Sequence, residues 1–419
     1  MAQIIRSIKG TRDFYPDEMT RRQWLIGKAR EASELYGYEH YDGPCLESLE
    51  LYAAKSGEEL VKEQAFVFPD RDGDPITLRP ELTPTLARMV AQKQNELVYP
   101  LRWWSFGPFW RYERPQKGRT REFFQWNIDL IGDDSLMADA ELIAVAAKFL
   151  KLIGLTSETV KLKVNNRHLM EAVFNRLGIP NEIAPSVLKM IDKIDKLPAA
   201  VWDEKVLELG LSSSQLDQIK SVLGNSELWR ESVELVELFD ILKGLGAMDY
   251  VVYDPKIIRG LDYYTGTVFE AYDTKSEFRA ILGGGHYANL VADVGGNPLP
   301  GVGFAMGDVV INLVLEAYGL YPERLAEKDA IFVTVFNADL KFKSLAIAAQ
   351  LREAGLKVVM NLTDEKLTKQ LKFADRLGLG KAIIAGPDEA AAGQVVVKNL
   401  RTREQEVIDE AGLLVYLGR

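Results

Sequence analysis

One cysteine, Cys45, stands in 419 residues, which excludes an internal disulfide and any cysteine-built metal site. A lone cysteine of this kind is expected to be a small buried residue. Histidine is nearly as scarce. His40, His168 and His286 form no metal or triad pattern with Cys45, so neither a protein metal site nor histidine catalysis is expected. No run of eighteen apolar residues occurs, which argues against a transmembrane helix and a membrane partner. The first residues, Met-Ala-Gln-Ile-Ile-Arg, lack the apolar core of a secretory signal, and the expected location is cytoplasmic.

The chain is long enough for two or three domains, and with 47% hydrophobic and 27% charged residues it can bury a core and stay soluble. The formal net charge of −10 is unevenly spread. Residues 328–419 hold 14 Lys+Arg against 12 Asp+Glu, a net of +2, which leaves −12 on the remainder. Distribution rather than the sum decides whether RNA is tolerated, and this distribution permits it at the C-terminal end.

Against that acidic background one basic segment stands out: Arg111-Tyr-Glu-Arg-Pro-Gln-Lys-Gly-Arg-Thr-Arg-Glu-Phe-Phe-Gln125. Five cations lie between Arg111 and Arg121, Pro115 and Gly118 mark a turn, and both flanks read as strands. Fixed guanidinium groups of this density suit a concentrated anion such as a triphosphate. A solvated hairpin tip is the plain alternative, but the outgoing strand argues against it. Alternation places Arg119, Arg121, Phe123, Gln125, Asn127 and Asp129 on one face, and Thr120, Glu122, Phe124, Trp126, Ile128 and Leu130 on the other. The first face is poor core material. It suits a floor for phosphates, then a flat ring, then a small polar ligand.

Elsewhere the pattern predicts a helix over 17–35, a hairpin over 66–78 turning at Asp70–Pro75, and a helix over 83–94 with Thr83 as N-cap. A helix over 135–153 and a strand from Val160 follow, then amphipathic helices from about 168 to 248, then strands again from Tyr250. After a polar linker near 321–328, strands and helices alternate, predicting a small, largely parallel α/β domain.

The basic segment closely resembles motif 2 of class II aminoacyl-tRNA synthetases, in the form found in histidyl-tRNA synthetases. Lys9-Gly-Thr-Arg-Asp13 resembles that family's N-terminal signature, Leu78-Arg-Pro-Glu-Leu-Thr83 its amino-acid segment, and Arg259-Gly-Leu-Asp-Tyr-Tyr264 its histidine-specific motif. The resemblance implies an α+β catalytic domain, an antiparallel sheet flanked by helices, over 1–325. It implies a helical insertion near 168–248 and an anticodon-binding-like α/β domain over 329–419. Gly43-Pro44 falls where motif 1 has its proline, and through that motif a homodimer is implied.

The implied reaction joins histidine to ATP as histidyl-adenylate and passes it to tRNA(His), with Mg²⁺ carried on the phosphates. Arg111 and Arg259 would be catalytic. Arg111, Glu113, Arg119 and Phe123 would hold ATP. Glu81, Thr83, Gln125, Asp129, Arg259, Tyr263, Tyr264 and Tyr287 would hold histidine. Two departures stand out. In Gly301-Val-Gly-Phe-Ala-Met-Gly-Asp-Val-Val-Ile311, Val310 occupies the place of the expected motif 3 arginine and Asp308 that of an apolar residue; flanking Tyr287, His286 and Ala288 stand where the family usually has arginine and aspartate. They leave an alternative: a synthetase-like protein that does not charge tRNA, such as the histidine-sensing regulatory subunit of ATP phosphoribosyltransferase.

Overall fold

The computed structural model describes residues 4–55, 63–259, 264–322, 328–361 and 365–418. Contacts divide the chain into two units, one of Met1–Tyr15 with Arg22–Leu320, the other of Pro16–Arg21 with Tyr321–Arg419.

The chain opens with α1 (Pro16–Glu34), β1 (Glu39–His40), β2 (Leu46–Ser48) and α2 (Leu49–Lys55), followed by β3 (Phe66–Pro69), β4 (Pro75–Leu78) and α3 (Thr83–Lys93). The central hairpin is β5 (Leu101–Trp110) and β6 (Glu122–Ile131), and α4 (Leu136–Leu152) and β7 (Val160–Asn166) come next. Five helices then run in series: α5 (Arg167–Arg176), α6 (Ala184–Ile191), α7 (Ala199–Glu208), α8 (Ser213–Leu223) and α9 (Val233–Gly244). The unit ends with β8 (Val251–Tyr253), β9 (Thr267–Asp273), β10 (Leu282–Tyr287), β11 (Gly301–Gly307) and α10 (Asp308–Ala317).

Eight strands form the main sheet in the order β1-β5-β6-β11-β10-β9-β7-β8. Only the two edge pairings, β1 with β5 and β7 with β8, are parallel. Because opposed residues share a face, the register sorts the side chains. Trp126, Met306, Leu282, Ala271 and Leu162 make one apolar row, and Ile128, Phe304, Gly284, Phe269 and Val164 the next. Most of these side chains are fully buried. Helix α4 covers this face. The Ser135 side chain caps its first turn by accepting from Ala138 N–H, and Phe149 lies 4.9 Å from Trp126 between ring centroids. Each large apolar side chain withdrawn here contributes about 1.5–3 kcal/mol.

The other face is built differently. Asn127 is followed across the sheet by Ala305, Gly283 and Glu270, and Asp129 by Gly303, Gly285 and Val268. The small residues leave a trough whose walls are the polar side chains of β6 and β9.

Three local expectations fail in unit 1. Cys45 is exposed rather than buried, because it lies at the bend just before β2, an edge strand of the small β2-β4-β3 sheet. Thr83 is the first helical residue of α3, not its cap; Leu82 precedes it without a side-chain cap, and Pro84 supplies the preset first turn instead. The regular part of the outgoing motif 2 strand starts at Glu122, so Arg119 and Arg121 belong to the loop.

The second unit contains β12 (Lys328–Val333), α11 (Lys341–Glu353), β13 (Val358–Met360), α12 (Leu367–Arg376), β14 (Leu379–Ile384), α13 (Pro387–Ala391), β15 (Gln394–Asn399), β16 (Gln405–Asp409) and α14 (Leu413–Tyr416). Its sheet order is β13-β12-β14-β15-β16. The expectation of a largely parallel sheet is only half right: β12 pairs in parallel with β13 and β14, whereas β14 with β15 and β15 with β16 are antiparallel. The connection from β14 to β15 is too short for the crossover that parallel strands require, and β15–β16 is a simple hairpin.

Candidate active site

The β5–β6 hairpin pairs without interruption from Leu101 with Ile131 to Trp110 with Glu122. Beyond it the chain turns through a tight loop in which Gln116 and Arg119 bond each other's backbone and Gly118 takes a left-handed conformation, φ 80°. The N-terminal signature is laid along this hairpin. Gly10 O accepts both Arg121 N–H (2.9 Å) and Glu122 N–H (3.0 Å), and a Cβ on Gly10 would press on the Arg121 stem.

At the loop end, Arg111 donates from Nε to Pro80 O at 2.9 Å and lies 5.5 Å from the centre of the Phe123 ring, joining the Leu78–Thr83 segment to motif 2. Phe123 is backed by Phe109, stacked at 5.9 Å. Arg119 Nε and Glu113 Oε2 are 2.6 Å apart, and the Glu113 side chain is only 9% exposed. Arg121 stacks on Tyr112 at 4.1 Å. The two groups expected to meet opposite ends of ATP are thus bonded to each other.

Further along β6, Asp129 accepts from Tyr287 Oη at 3.0 Å. Burial pushes the Asp129 carboxyl up to about 7, partly offset by that hydrogen bond, and burial also raises the Tyr287 phenol. A Cβ on Gly303 would overlap Asp129 Oδ1, so the absent side chain is what makes room for the carboxylate. Tyr264 and Tyr287 pack in an apolar cluster with Leu86, Ala87 and Val90 of α3, which walls this end of the trough. Glu81 lies just ahead of α3 and is buried; Thr83 opens the helix, and Gln125 sits on β6 opposite Gly307.

Arg259 has a left-handed backbone, φ 57°, uncommon for a residue with a side chain. Two contacts hold it there: Arg167 Nη2 donates to Arg259 O at 2.7 Å, and Arg259 Nη1 meets Glu270 Oε1 at 2.8 Å. Gly283 again clears the space, since a Cβ there would overlap the Arg259 guanidinium. Tyr263 lies outside the described residues. The structure therefore brings Arg111, Glu113, Arg119 and Phe123 together at one end, and Asp129, Tyr264 and Tyr287 at the other.

One residue of the trough escaped the sequence reading, and another was placed on its face without a role. Glu270 anchors Arg259, and no motif flags it. Asn127, buried and between Gln125 and Asp129, has an Nδ2 with no hydrogen-bond partner among the described residues. Its place in the alternation was the available signal. Asp308 is accounted for differently: Arg12 grips both of its oxygens at 3.1 and 2.8 Å, and Asp308 Oδ1 also accepts Phe124 N–H at 2.9 Å. It belongs to the support of β6 rather than to the trough. His286 points to the covered face and meets Asp139 of α4 at 2.8 Å. Burial opposes its protonation, but the Asp139 hydrogen bond and charge prevail and raise its pKa. Among the described residues no three His, Cys, Asp or Glu side chains group as metal ligands, and no helix is long and apolar enough to cross a membrane.

Residues 10–308 match the family described as histidyl-tRNA synthetase, and residues 330–418 match the anticodon binding domain. The chain belongs to the histidyl-tRNA synthetase family. It is 38% identical over 412 residues to the histidine--tRNA ligase, chloroplastic/mitochondrial, of Arabidopsis thaliana, covering 95% of this chain and 83% of that one. With the histidine--tRNA ligase of Thermoplasma volcanium it shares 37% identity, covering 99% and 98%. The histidyl-tRNA synthetase structure from Nostoc sp. PCC 7120 superposes with a TM-score of 0.85 at 26% identity and covers both chains completely. The large sheet flanked by helices is thus the class II synthetase fold of this family.

Proposed function

We propose that this protein is a histidine--tRNA ligase, which activates histidine with ATP and transfers the histidyl group to tRNA(His). The observation that carries the reading is the trough on β6, where a cationic loop, a backed aromatic ring and a buried carboxylate–phenol pair follow in line.

In the first step a carboxylate oxygen of histidine attacks the α-phosphorus of ATP. A new O–P bond forms as the bond to the β-phosphate bridging oxygen breaks, and pyrophosphate leaves. The nucleophile is already ionised, so no protein base is needed. Rate enhancement must come from alignment and from neutralising charge on the phosphorus oxygens. Arg111 takes the α-phosphate on one side and Arg259 approaches from the other, near the substrate carboxylate. Phe123 stacks on adenine, Glu113 accepts from the adenine amino group and Arg119 takes the terminal phosphates. Glu81 and Thr83 hold the α-amino group, with Gln125 beside them. Asp129, Tyr264 and Tyr287 surround the imidazole, a role the family resemblance extends to Tyr263; these polar groups pair with the ring nitrogens and so reject apolar isosteres, which would leave them unpaired. Glu113 and Glu270 are held by Arg119 and Arg259 and Asp129 by Tyr287, so Mg²⁺ would be carried on the phosphates, where it would neutralise their charge.

Residues 1–325 form the catalytic domain in this reading and 329–419 the anticodon-reading domain, supported by the match of 330–418 to that family. The protein acts in the cytoplasm as a homodimer. Histidine-dependent ATP–pyrophosphate exchange tests the reading: exchange should be present and collapse in Arg259→Ala and Arg111→Ala. Histidine binding without exchange, together with no charging of tRNA, would overturn it.

A further inference from the structure

The cations of the motif 2 loop are mostly spoken for inside the chain. Arg119 is paired with Glu113, Arg121 lies on Tyr112, Arg111 bonds Pro80 O, and Lys117 Nζ lies 5.5 Å from the Phe278 ring centre. Arg279 differs. It stands in the turn between β9 and β10, and among the described residues it makes no hydrogen bond and no ion pair.

Its position is nonetheless fixed by its surroundings. Buried Asp273 accepts Glu277 N–H at 3.0 Å and Phe278 N–H at 3.1 Å, and Ile281 N–H bonds Ala271 O at 2.8 Å, so the turn is held at both ends. The Arg279 stem then crosses the tip of the motif 2 loop. A Cβ built on Gly118 would lie 3.9 Å from Arg279 Cδ and 3.7 Å from Val310 Cγ2. The guanidinium pKa is lowered, first by desolvation and next by the Arg119 charge, with Glu113 acting oppositely. A guanidinium held beside another guanidinium, with no carboxylate of its own, is an arrangement that an arriving polyanion relieves.

We propose that Arg279 is a phosphate-binding residue of the ATP site, delivered from the β9–β10 turn to close over the terminal phosphates opposite Arg119. Arg279 Cδ and Val310 Cγ2 both lie within 4 Å of the position a Gly118 Cβ would take, so a cation reaches that side of the motif 2 loop from the β9–β10 turn rather than from α10. The proposal rests on the ATP-dependent reading above.

Binding and exchange are measured on Arg279→Ala, Arg279→Lys and the double variant Arg279→Ala/Val310→Arg, using a non-hydrolysable ATP analogue and AMP as probes. Arg279→Ala should bind the analogue about 10–100-fold more weakly, the scale of a lost charge-assisted contact, with AMP affinity unchanged. Its kcat/KM for ATP in exchange should fall about 100-fold, with the KM for histidine unmoved. Lysine should restore part of the loss, and Val310→Arg should restore exchange in the alanine background, which a merely structural role would not allow. Analogue binding indistinguishable from the parent, or equal losses for ATP and AMP without rescue, would overturn the proposal. If the analogue depends on Arg279 but the parent shows no exchange, the Arg279 assignment stands and the ligase reading falls.

Discussion

Gly283 and Gly284 are adjacent on β10 yet face opposite sides of the sheet, and alanine at each separates chemistry from folding. At Gly283 the added methyl meets Arg259 Nη1, with Cζ at 2.8 Å and Glu270 Cγ at 3.1 Å. These are the far ends of flexible side chains, so the guanidinium yields and the backbone stays. The fold loses one partly buried ion pair, worth about 1 kcal/mol, and gains about 0.4–1 kcal/mol from a stiffer unfolded chain. The two nearly cancel. Arg259, however, is displaced on the order of 1 Å, which costs about 100-fold in a step that depends on alignment. At Gly284 the methyl meets Gly303 O and Phe304 Cβ, with Phe304 Cα at 2.7 Å, on the packed face and against backbone. Overpacking of this kind costs about 1–3 kcal/mol. Thermal denaturation and pyrophosphate exchange on both variants check this. Gly283→Ala should keep the parent Tm and lose exchange, whereas Gly284→Ala should melt earlier and keep per-molecule exchange while folded. Full exchange in Gly283→Ala would refute the placement of Arg259.

Asp129→Asn should stabilise the protein at pH 8 and not at pH 3. The folded carboxyl is raised to about 7, so the native state holds its proton longer and the parent loses stability as pH rises between about 4 and 7. Parallel pH–Tm profiles of parent and variant would contradict this, and the same variant should raise the KM for histidine. Asp308→Ala should cost about 3–5 kcal/mol by leaving Arg12 and Phe124 N–H without their buried acceptor, read as a lower denaturation midpoint, whereas Arg12→Leu/Asp308→Leu should recover much of it. A double variant no better than the single one would show the pair is not the cause.

The candidate site was legible where polar chemistry interrupts a period. Gln125, Asn127 and Asp129 alternate with Trp126, Ile128 and Leu130, and polar residues at a core period need another purpose. Tight turns were legible too, as at Gly118. What could not be read were pairings between distant segments. Asp308 looked like a fault in motif 3 until Arg12, 296 residues away, was found holding it. The run of glycines in β10 says little by itself, but strand register makes Gly283 and Gly285, with Gly303 of β11, the floor of a trough. Cys45 failed because burial at a bend beside an edge strand depends on what packs over it, which the local sequence does not carry, and β16 went unread because its residues are mostly exposed and lack an apolar run.

The bond between Arg119 and Glu113 has a consequence for selectivity. Inorganic phosphate or pyrophosphate that captures Arg119 leaves Glu113, almost shielded from water, with no donor, a penalty of about 1–3 kcal/mol. A ligand offering an anion at one end and an N–H at the other suffers no such penalty. On the ATP reading proposed above, the loop would work as a coincidence detector: neither a nucleobase nor a phosphate chain alone would meet its terms, and only a molecule joining the two would open the pair without loss.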